Sequence, residues 1–383
     1  MDALTTPLNW QRVRLGDIAT FLKGKGLSKN QVSPNAKHEC ILYGELFTHY
    51  DRVVINIKSF TNIYDNPILS LNNDVLMSGS AETPDILATA SCILKKGVIL
   101  GGDILIIRPN SNLLNGCFLA YCIVYDKNQV LSKVVGSTVY HLYAKDLKDF
   151  EIPLPPLNEQ IAIANILSDV DRYLYSLRAL ILKKESVKKA LSFELLSQRK
   201  RLKGFNQAWQ RVRLGDICEI TTGSLDANEM VHYGKYRFYT CAKEYYFIDK
   251  YAFDTEAILI SGNGAYVGYV HYYKGKFNAY QRTYVLDNFS EHIMFVKYFL
   301  TMFLQSHIQT NKNEGNTPYI VMATLKDFEI LLPPLNEQIA IANILSGLDN
   351  EIISLKNKKR QFENIKKALN HDLMSAKIRV LKK

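Results

Sequence analysis

Fifteen residues, Leu154-Pro-Pro-Leu-Asn-Glu-Gln-Ile-Ala-Ile-Ala-Asn-Ile-Leu-Ser168, return unchanged as Leu332 to Ser346. A repeat that long and that strict divides the chain into two related parts. The proline pairs Pro155-Pro156 and Pro333-Pro334 suit the first turn of a helix, where an N–H has no intrahelical partner to lose. Behind them the apolar residues step by three and four. In the first copy these are Leu167, Val170, Leu174, Leu177 and Ile181, then Lys184 and Lys188, then Leu191 and Leu195. In the second they are Leu345, Leu348, Ile352, Leu355, Lys359, Phe362, Lys366, Leu369 and Leu373. This is a heptad seam, and buried lysines in such a seam set register at some cost in stability. No proline or glycine falls between Leu157 and Gly204, which allows a helix of about forty residues, roughly 60 Å long. So narrow a seam with Lys-rich flanks leaves little surface for a globular core. The two long helices are therefore expected to pack on each other rather than each on its own domain.

The opening nonapeptide Trp10-Gln-Arg-Val-Arg-Leu-Gly-Asp-Ile18 also recurs, at Trp209 to Ile217, and Leu147-Lys-Asp-Phe-Glu-Ile152 recurs at Leu325 to Ile330. The openings lie 199 residues apart and the helix starts 178 apart, so the second middle is 21 residues shorter. Between these shared ends the words differ. Arg52 to Ile57, Asp74 to Ser78, Ala90 to Leu94 and Asp103 to Arg108 read as strands, and Cys117 to Leu131 as helix. In the second part Tyr236 to Thr240, Ala257 to Ser261, Val267 to Tyr272 and Thr283 to Leu286 read as strands, and Met294 to Leu304 as helix. Gly136-Ser-Thr has a counterpart in Gly315-Asn-Thr-Pro-Tyr-Ile320. Identical ends and unlike middles describe one frame carrying two different readers, or drift after duplication. The expected fold class is α+β: two β-rich domains, 1–153 and 204–331, joined by two long coiled-coil helices, 154–203 and 332–383, in an internal repeat.

A net charge of +10, a pI near 9.1 and 23 tyrosines point to a polyanionic partner, or to a basic surface that only keeps the chain soluble. The six cysteines, Cys40, Cys92, Cys117, Cys122, Cys218 and Cys241, form no CxxC pair and read as buried thiols in a reducing cytosol. The start, Met1 to Trp10, lacks the basic and apolar segments of a signal peptide. No run of 18 apolar residues is present, so the chain is expected in the cytoplasm, without a membrane partner.

Motifs for chemistry are missing. Gly24-Lys-Gly26 and Gly262-Asn-Gly-Ala-Tyr-Val-Gly268 are neither Walker loops nor dinucleotide fingerprints. The nearest approach to an Asn-Pro-Pro-aromatic tetrapeptide is Asn66-Pro67-Ile68, and no Glu-x-Lys follows Pro84-Asp85 at a nuclease spacing. The eight histidines form no paired metal motif. The chain therefore reads as non-catalytic, with no cofactor and no metal. What remains is recognition. Lys243, Asn263, Lys274, Lys276, Tyr280, Gln281, Arg282 and Tyr319 interleave cations, amides and aromatics in the second part. In the first, Lys23, Lys25, Lys29, Ser78, Ser80, Lys95, Lys96, Tyr140 and His141 are loop candidates. Such mixtures neutralise phosphates and read base edges. Gln281 and Arg282 stand out, because Gln pairs with adenine and Arg with guanine through two hydrogen bonds.

The doubled Leu-Pro-Pro-Leu-x-Glu-Gln-x-x-Ile-Ala-x-Ile-Leu segment, the two Leu-Gly-Asp-Ile openings and the Gly-Ser/Asn-Thr turns together resemble the DNA specificity subunit of type I restriction–modification systems. The resemblance covers essentially the whole chain. It implies two target recognition domains on double-stranded DNA, each reading one half of a bipartite asymmetric site, and two helices that pair as an antiparallel coiled coil and act as a spacer in a pseudo-twofold repeat. It also implies that methylation and cleavage belong to partners: two methyltransferase subunits, and restriction subunits in the full complex. Carried over position by position, Pro155, Pro156, Glu159, Gln160, Ile163 and Leu167, with Pro333, Pro334, Glu337, Gln338, Ile341 and Leu345, would form the docking region. A stand-alone DNA-binding or scaffold protein, or a nuclease with unfamiliar motifs, are the other classes left open by the residues themselves.

Overall fold

The computed structural model describes residues 10–63, 65–311 and 318–380. The Gly315-Asn-Thr part of the second turn and the first nine residues lie outside them. Two 40-residue helices, Leu157–Leu196 and Leu335–Met374, form where the heptads predict them. Each starts on its proline pair: Pro156 O accepts from the N–H groups of Glu159 and Gln160, and Pro334 O from those of Glu337 and Gln338. Each ends on a left-handed residue, Gln198 (φ 60°) or Ala376 (φ 56°), after which helical bonding cannot continue.

The chain divides into two compact units, 1–178 with 357–383, and 179–356. Each contains the first half of one long helix and the second half of the other, packed antiparallel. In the first unit the Tyr173 and Phe362 rings lie 4.5 Å apart, Arg178 pairs with Glu363 at 3.3 Å, and Lys366 pairs with Asp171. In the second, Lys184 pairs with Glu351 and Lys356 with Glu185, both at 2.6 Å, and Lys188 pairs with Asp349. Leu167, Leu174, Leu177, Ile181 and Leu195, with Leu345, Ile352 and Leu373, are buried along the seam. The seam lysines meet acidic groups of the facing helix, with one exception: Lys359 pairs with Glu363 on its own helix.

The first unit has a five-stranded sheet in the order Ala19–Lys23, Ile104–Pro109, Asp74–Ser78, Ser91–Ile93, Val53–Val54. A second sheet orders Ser59–Thr61, His38–Ile41, Ile99–Leu100. Asp74–Ser78 is buried at every position, as a strand covered on both faces must be. Helix Gly116–Tyr125 covers the larger sheet and joins its core to Ile163, Ala164 and Leu167 of the first long helix and Leu373 and Met374 of the second.

The second unit has one six-stranded sheet: Glu219–Thr222, Thr283–Asp287, Phe253–Ser261, Val270–Ala279, Tyr236–Tyr239, Tyr246–Ile248. Helix Ile293–Asn311 covers one face, through Ile258, Ile260 and Leu286, with Leu195 and Leu196 from the first long helix and Ile341, Ala342 and Leu345 from the second. The first five strands of this sheet repeat the order of the first unit's larger sheet, with the parallel pair at the same place, and Tyr246–Ile248 is added at the edge. The ends are closed alike too. Gln11–Arg14 pairs antiparallel with Glu151–Leu154, and Gln210–Arg213 with Glu329–Leu332, in the same register. The repeated opening and the repeated approach to the helix are thus two strands of one ribbon, and Leu15 and Leu214 plug the core beneath it.

Candidate functional site: a duplicated helix clasp and two unlike surfaces

The repeated segment turns most of its residues inward. The Glu159 carboxylate is 2% exposed; it accepts from Trp10 Nε1 at 3.2 Å and from Arg379 Nε and Nη2 at 2.6 and 2.8 Å. Glu337, 0% exposed, accepts from Trp209 Nε1 at 3.2 Å and from Arg201 Nε and Nη2 at 3.2 and 2.5 Å. A buried carboxylate with a bidentate guanidinium is a satisfied charge. Gln160 Nε2 donates to Leu113 O and Pro155 O while its Oε1 accepts from Asn115 N, the cap of helix Gly116–Tyr125. Gln338 repeats this, donating to Glu291 and Pro333 O and accepting from His292 N ahead of helix Ile293–Asn311. Pro155, Ile163, Leu167, Pro333, Ile341 and Leu345 are buried.

This corrects the reading of that set as a docking surface: apart from Pro156, which is exposed, and Pro334, which is half-buried, these residues hold each domain to its helix. The identical residues exposed in both copies are Asn158, Ile161 and Asn165, with Asn336, Ile339 and Asn343.

A second clasp is duplicated a few turns on. Tyr121 Oη donates to Asp171 Oδ2 at 2.8 Å, and Lys366 holds the same carboxylate. Tyr298 Oη donates to Asp349 Oδ2 at 2.7 Å, and Lys188 holds that one. Burial pushes both tyrosine hydroxyls up, and the facing carboxylates add to it. Burial also works to raise Asp349, but hydrogen bonds from Lys188 and Tyr298 outweigh it and hold the carboxyl below its ordinary value.

In the first unit Lys23, Ser80 and His141 come together around Asp103. Lys23 Nζ lies 2.8 Å from Asp103, while Ser80 Oγ donates to Asp103 Oδ2 at 3.2 Å and lies 3.3 Å from His141 Nδ1. The ammonium of Lys23, chiefly, holds the Asp103 carboxyl down. Lys25 and Lys29 are exposed on the rim of a cleft of about 1150 Å³ that Tyr43, Phe47 and His49 also line. Lys95 pairs with Glu39 at 2.6 Å on another loop, with Lys96 exposed beside it, and Tyr140 is half-buried. Ser78 is a correction: it is 0% exposed and its hydroxyl donates to Ser80 O, so it has no face left for a phosphate.

In the second unit the Gly262 turn, Arg282 and Tyr319 converge. Gly262 N donates to Arg282 O at 2.8 Å, Gly262 O accepts from Ile320 N, and Asn263 bridges Tyr319. A Cβ at Gly262 would sit 2.3 Å from Arg282 O, so the approach needs glycine. Gln281 and Arg282 are exposed beside half-buried Tyr280. Lys243 lies 5.0 Å over the Tyr266 ring. Lys274 and Lys276 instead face Glu256 and Asp254, at 2.9 and 3.9 Å. Sequence reasoning missed Arg201, Arg379 and Arg237. The guanidinium of Arg237 lies 4.2 Å from the Tyr245 ring centre and 4.4 Å from that of Tyr273. All six cysteines are free thiols. Among the described residues no group of three His, Cys, Asp or Glu could hold a metal ion, and no helix is long and apolar enough to cross a membrane.

Two β-sheet units of one five-strand order but different sequence, on one duplicated helix frame, define a recognition scaffold. The chain belongs to the family of type I restriction modification DNA specificity domains, whose model matches residues 7–185 and again 206–364. Specificity subunits are the DNA-recognising, non-catalytic components of these systems. The type I restriction enzyme MjaVIII specificity subunit of Methanocaldococcus jannaschii is 26% identical over 99% of this chain and 95% of its own length. The EcoDI specificity subunit of Escherichia coli is 38% identical over 170 residues, 44% of this chain, and the match spans 37% of that relative. The crystal structure of a type I restriction–modification S subunit from M. genitalium shares the fold, with a TM-score of 0.71 over 96% of each chain at 18% identity.

Proposed function

We propose that the chain reads a bipartite, asymmetric site in double-stranded DNA, one half-site per recognition domain, and carries two methyltransferase subunits and, in the full complex, restriction subunits. In this reading residues 1–153 and 204–331 are the recognition domains and 154–203 and 332–383 the spacer helices of a cytoplasmic assembly. The observation that supports it most is the Trp–Glu–Arg clasp: Trp10, Glu159 and Arg379 in one unit, Trp209, Glu337 and Arg201 in the other. A frame kept to the residue beneath two sheets of one strand order but different sequence presents two different surfaces in one equivalent attitude. Its outward faces, Ile161 (41% exposed) and Ile339 (39%) among identical asparagines, offer two copies of one partner the same patch.

Co-purification with the methyltransferase, followed by mapping of methylated positions, tests this. Two methyltransferase copies per chain and a two-part motif are expected. Ile161→Asp should release one copy and the additional Ile339→Asp the other. A continuous motif, or tight sequence-specific binding by a chain that retains no methyltransferase, would count against it.

A further inference from the structure

Three arginines of the second unit face carboxylates: Arg201, Arg211 and Arg213, at 2.5, 2.6 and 3.5 Å. Arg237 faces none among the described residues. It stands on strand Tyr236–Tyr239, between Tyr246–Ile248 and Val270–Ala279. By the alternation of a strand it shares a face with Tyr239, whose cluster of Ala257, Leu259, Phe277 and Val285 lies on the side of the sheet away from helix Ile293–Asn311. Its guanidinium packs against the rings of Tyr245 and Tyr273, and Nη1 donates to Tyr239 Oη at 3.3 Å. Tyr239 contacts Tyr245, His271, Tyr273 and Phe277 in turn, so the floor under the arginine is a continuous aromatic layer.

Such a guanidinium is a cation held in place without an anion. Two rings lie against it and Nη1 is held by Tyr239, which leaves Nε and Nη2, a rigid pair of donors that fits two acceptors in one plane. In duplex DNA the base edge with that pair is guanine, through O6 and N7 in the major groove. Phosphate offers paired oxygens too, but phosphate contacts only position a protein, and flexible lysines suffice for them. A pre-oriented arm loses less side-chain freedom on binding, which favours reading over mere attraction. We propose that Arg237 reads a guanine in the half-site of the second recognition domain, with Tyr245 and Tyr273 as its positioning residues. This rests on the DNA-reading function proposed above.

The test uses the full chain in complex with its methyltransferase, with methylated motifs mapped for wild type and for Arg237→Gln. Wild type should require guanine at one position of one half-site. Arg237→Gln should lose that requirement about 10-fold and gain tolerance for adenine, which Gln pairs with, while the other half-site stays unchanged. Tyr245→Leu, at an exposed ring, keeps the arginine and should relax the same position less. An unchanged motif with methylation lowered evenly at all sites would make Arg237 a phosphate contact and overturn the proposal. An unchanged motif and rate with only a lower melting temperature would make it a structural clamp and overturn it equally. Relaxation by Tyr245→Leu at a different position would also overturn it. A wild-type complex that methylates without any bipartite motif would instead overturn the reading on which the proposal rests.

Discussion

Arg379 closes on Glu159 through two hydrogen bonds across 220 positions of sequence, and Arg201 closes on Glu337 in the same way. Each arginine stands five residues beyond the end of one long helix, and each glutamate sits in the first turn of the other. The left-handed turns at Gln198 and Ala376 aim the arginines there. The clasp thus ties three places, domain opening, helix start and helix end, at one buried carboxylate.

Removing the cation should be costly because the anion stays behind. Glu337 is 0% exposed and Arg201 keeps only 28% of its side chain in solvent. Breaking a buried pair from one side costs about 3–5 kcal/mol, and the partial exposure places Arg201→Ala near the lower end. Glu337→Gln, which keeps the bond from Trp209 and removes the stranded charge, should recover part of the loss in the double variant. Denaturant unfolding measures all three; an Arg201→Ala midpoint equal to wild type would show that the clasp contributes nothing.

The Tyr298–Asp349–Lys188 clasp predicts a pH dependence of definite sign. The folded Asp349 carboxyl lies below its ordinary 3.8, held there by Lys188 and Tyr298 against burial, with Lys297 adding to the same effect. A depressed carboxyl stabilises the fold above its unfolded value and loses that contribution as pH falls through the lower folded value. Unfolding midpoints measured from about pH 6 down to about pH 2.5 should therefore fall more steeply for wild type than for Asp349→Asn. Parallel curves would assign the acid sensitivity to other groups.

One pair of equivalent positions differs between the units. Tyr173 and Phe362 pack as tilted rings with centres 4.5 Å apart where the second unit has Glu351 and Lys184 as an ion pair at 2.6 Å. Positions 173 and 351 correspond, as do 184 and 362, at the repeat distance of 178. The first unit should then accept the second unit's chemistry only when both residues change. Phe362→Lys alone exchanges a ring contact for a weaker cation–π contact with Tyr173, and Tyr173→Glu alone sets an acid against an aromatic ring. The double variant restores a matched pair, with coupling of about 1 kcal/mol, as measured for aromatic and charged neighbours of this kind. A double-mutant cycle with no coupling would mean that the two residues do not meet.

How much of this was legible in the sequence follows from the range of the interactions. The long helices were, because heptads and proline pairs act over a few residues. Asp74–Ser78 was, because it is an unbroken buried run. The strand expected at Val267 to Tyr272 begins instead at Val270 and continues to Ala279. Gly268, at φ 81°, closes the preceding turn, and Gly275, at φ 130°, lies within the strand that runs on past its expected end at Tyr272. Identity between the copies marked Glu159 and Gln160 as important but not in what way: their partners are Arg379, far along the chain, and the backbone around Asn115. Arg237 was hidden for the same reason, since rings at 245 and 273 hold it and nothing adjacent to it signals a stack.

The frame also predicts what a longer frame would do, if the helices space two readers as proposed. A heptad added to one helix alone would leave seven residues without partners, and would move Lys188 and Asp349, or Lys366 and Asp171, out of register. The insertion therefore has to be matched: one heptad after Arg178 and one after Lys356, where the two compact units divide. Seven residues add about 10 Å at 1.5 Å each, or about three base pairs at 3.4 Å per step. Seven residues also bring the helix within about 20° of two whole turns, whereas three base pairs turn DNA by roughly 100° at about 10.5 base pairs per turn. Length is thus matched and phase is not. Methylome mapping should show the gap between half-sites growing by about three base pairs with both half-sites unchanged and methylation slowed. A single unmatched heptad should lower stability without moving the gap. If the matched insertion folds, methylates and keeps the original gap, the helices do not set the spacing.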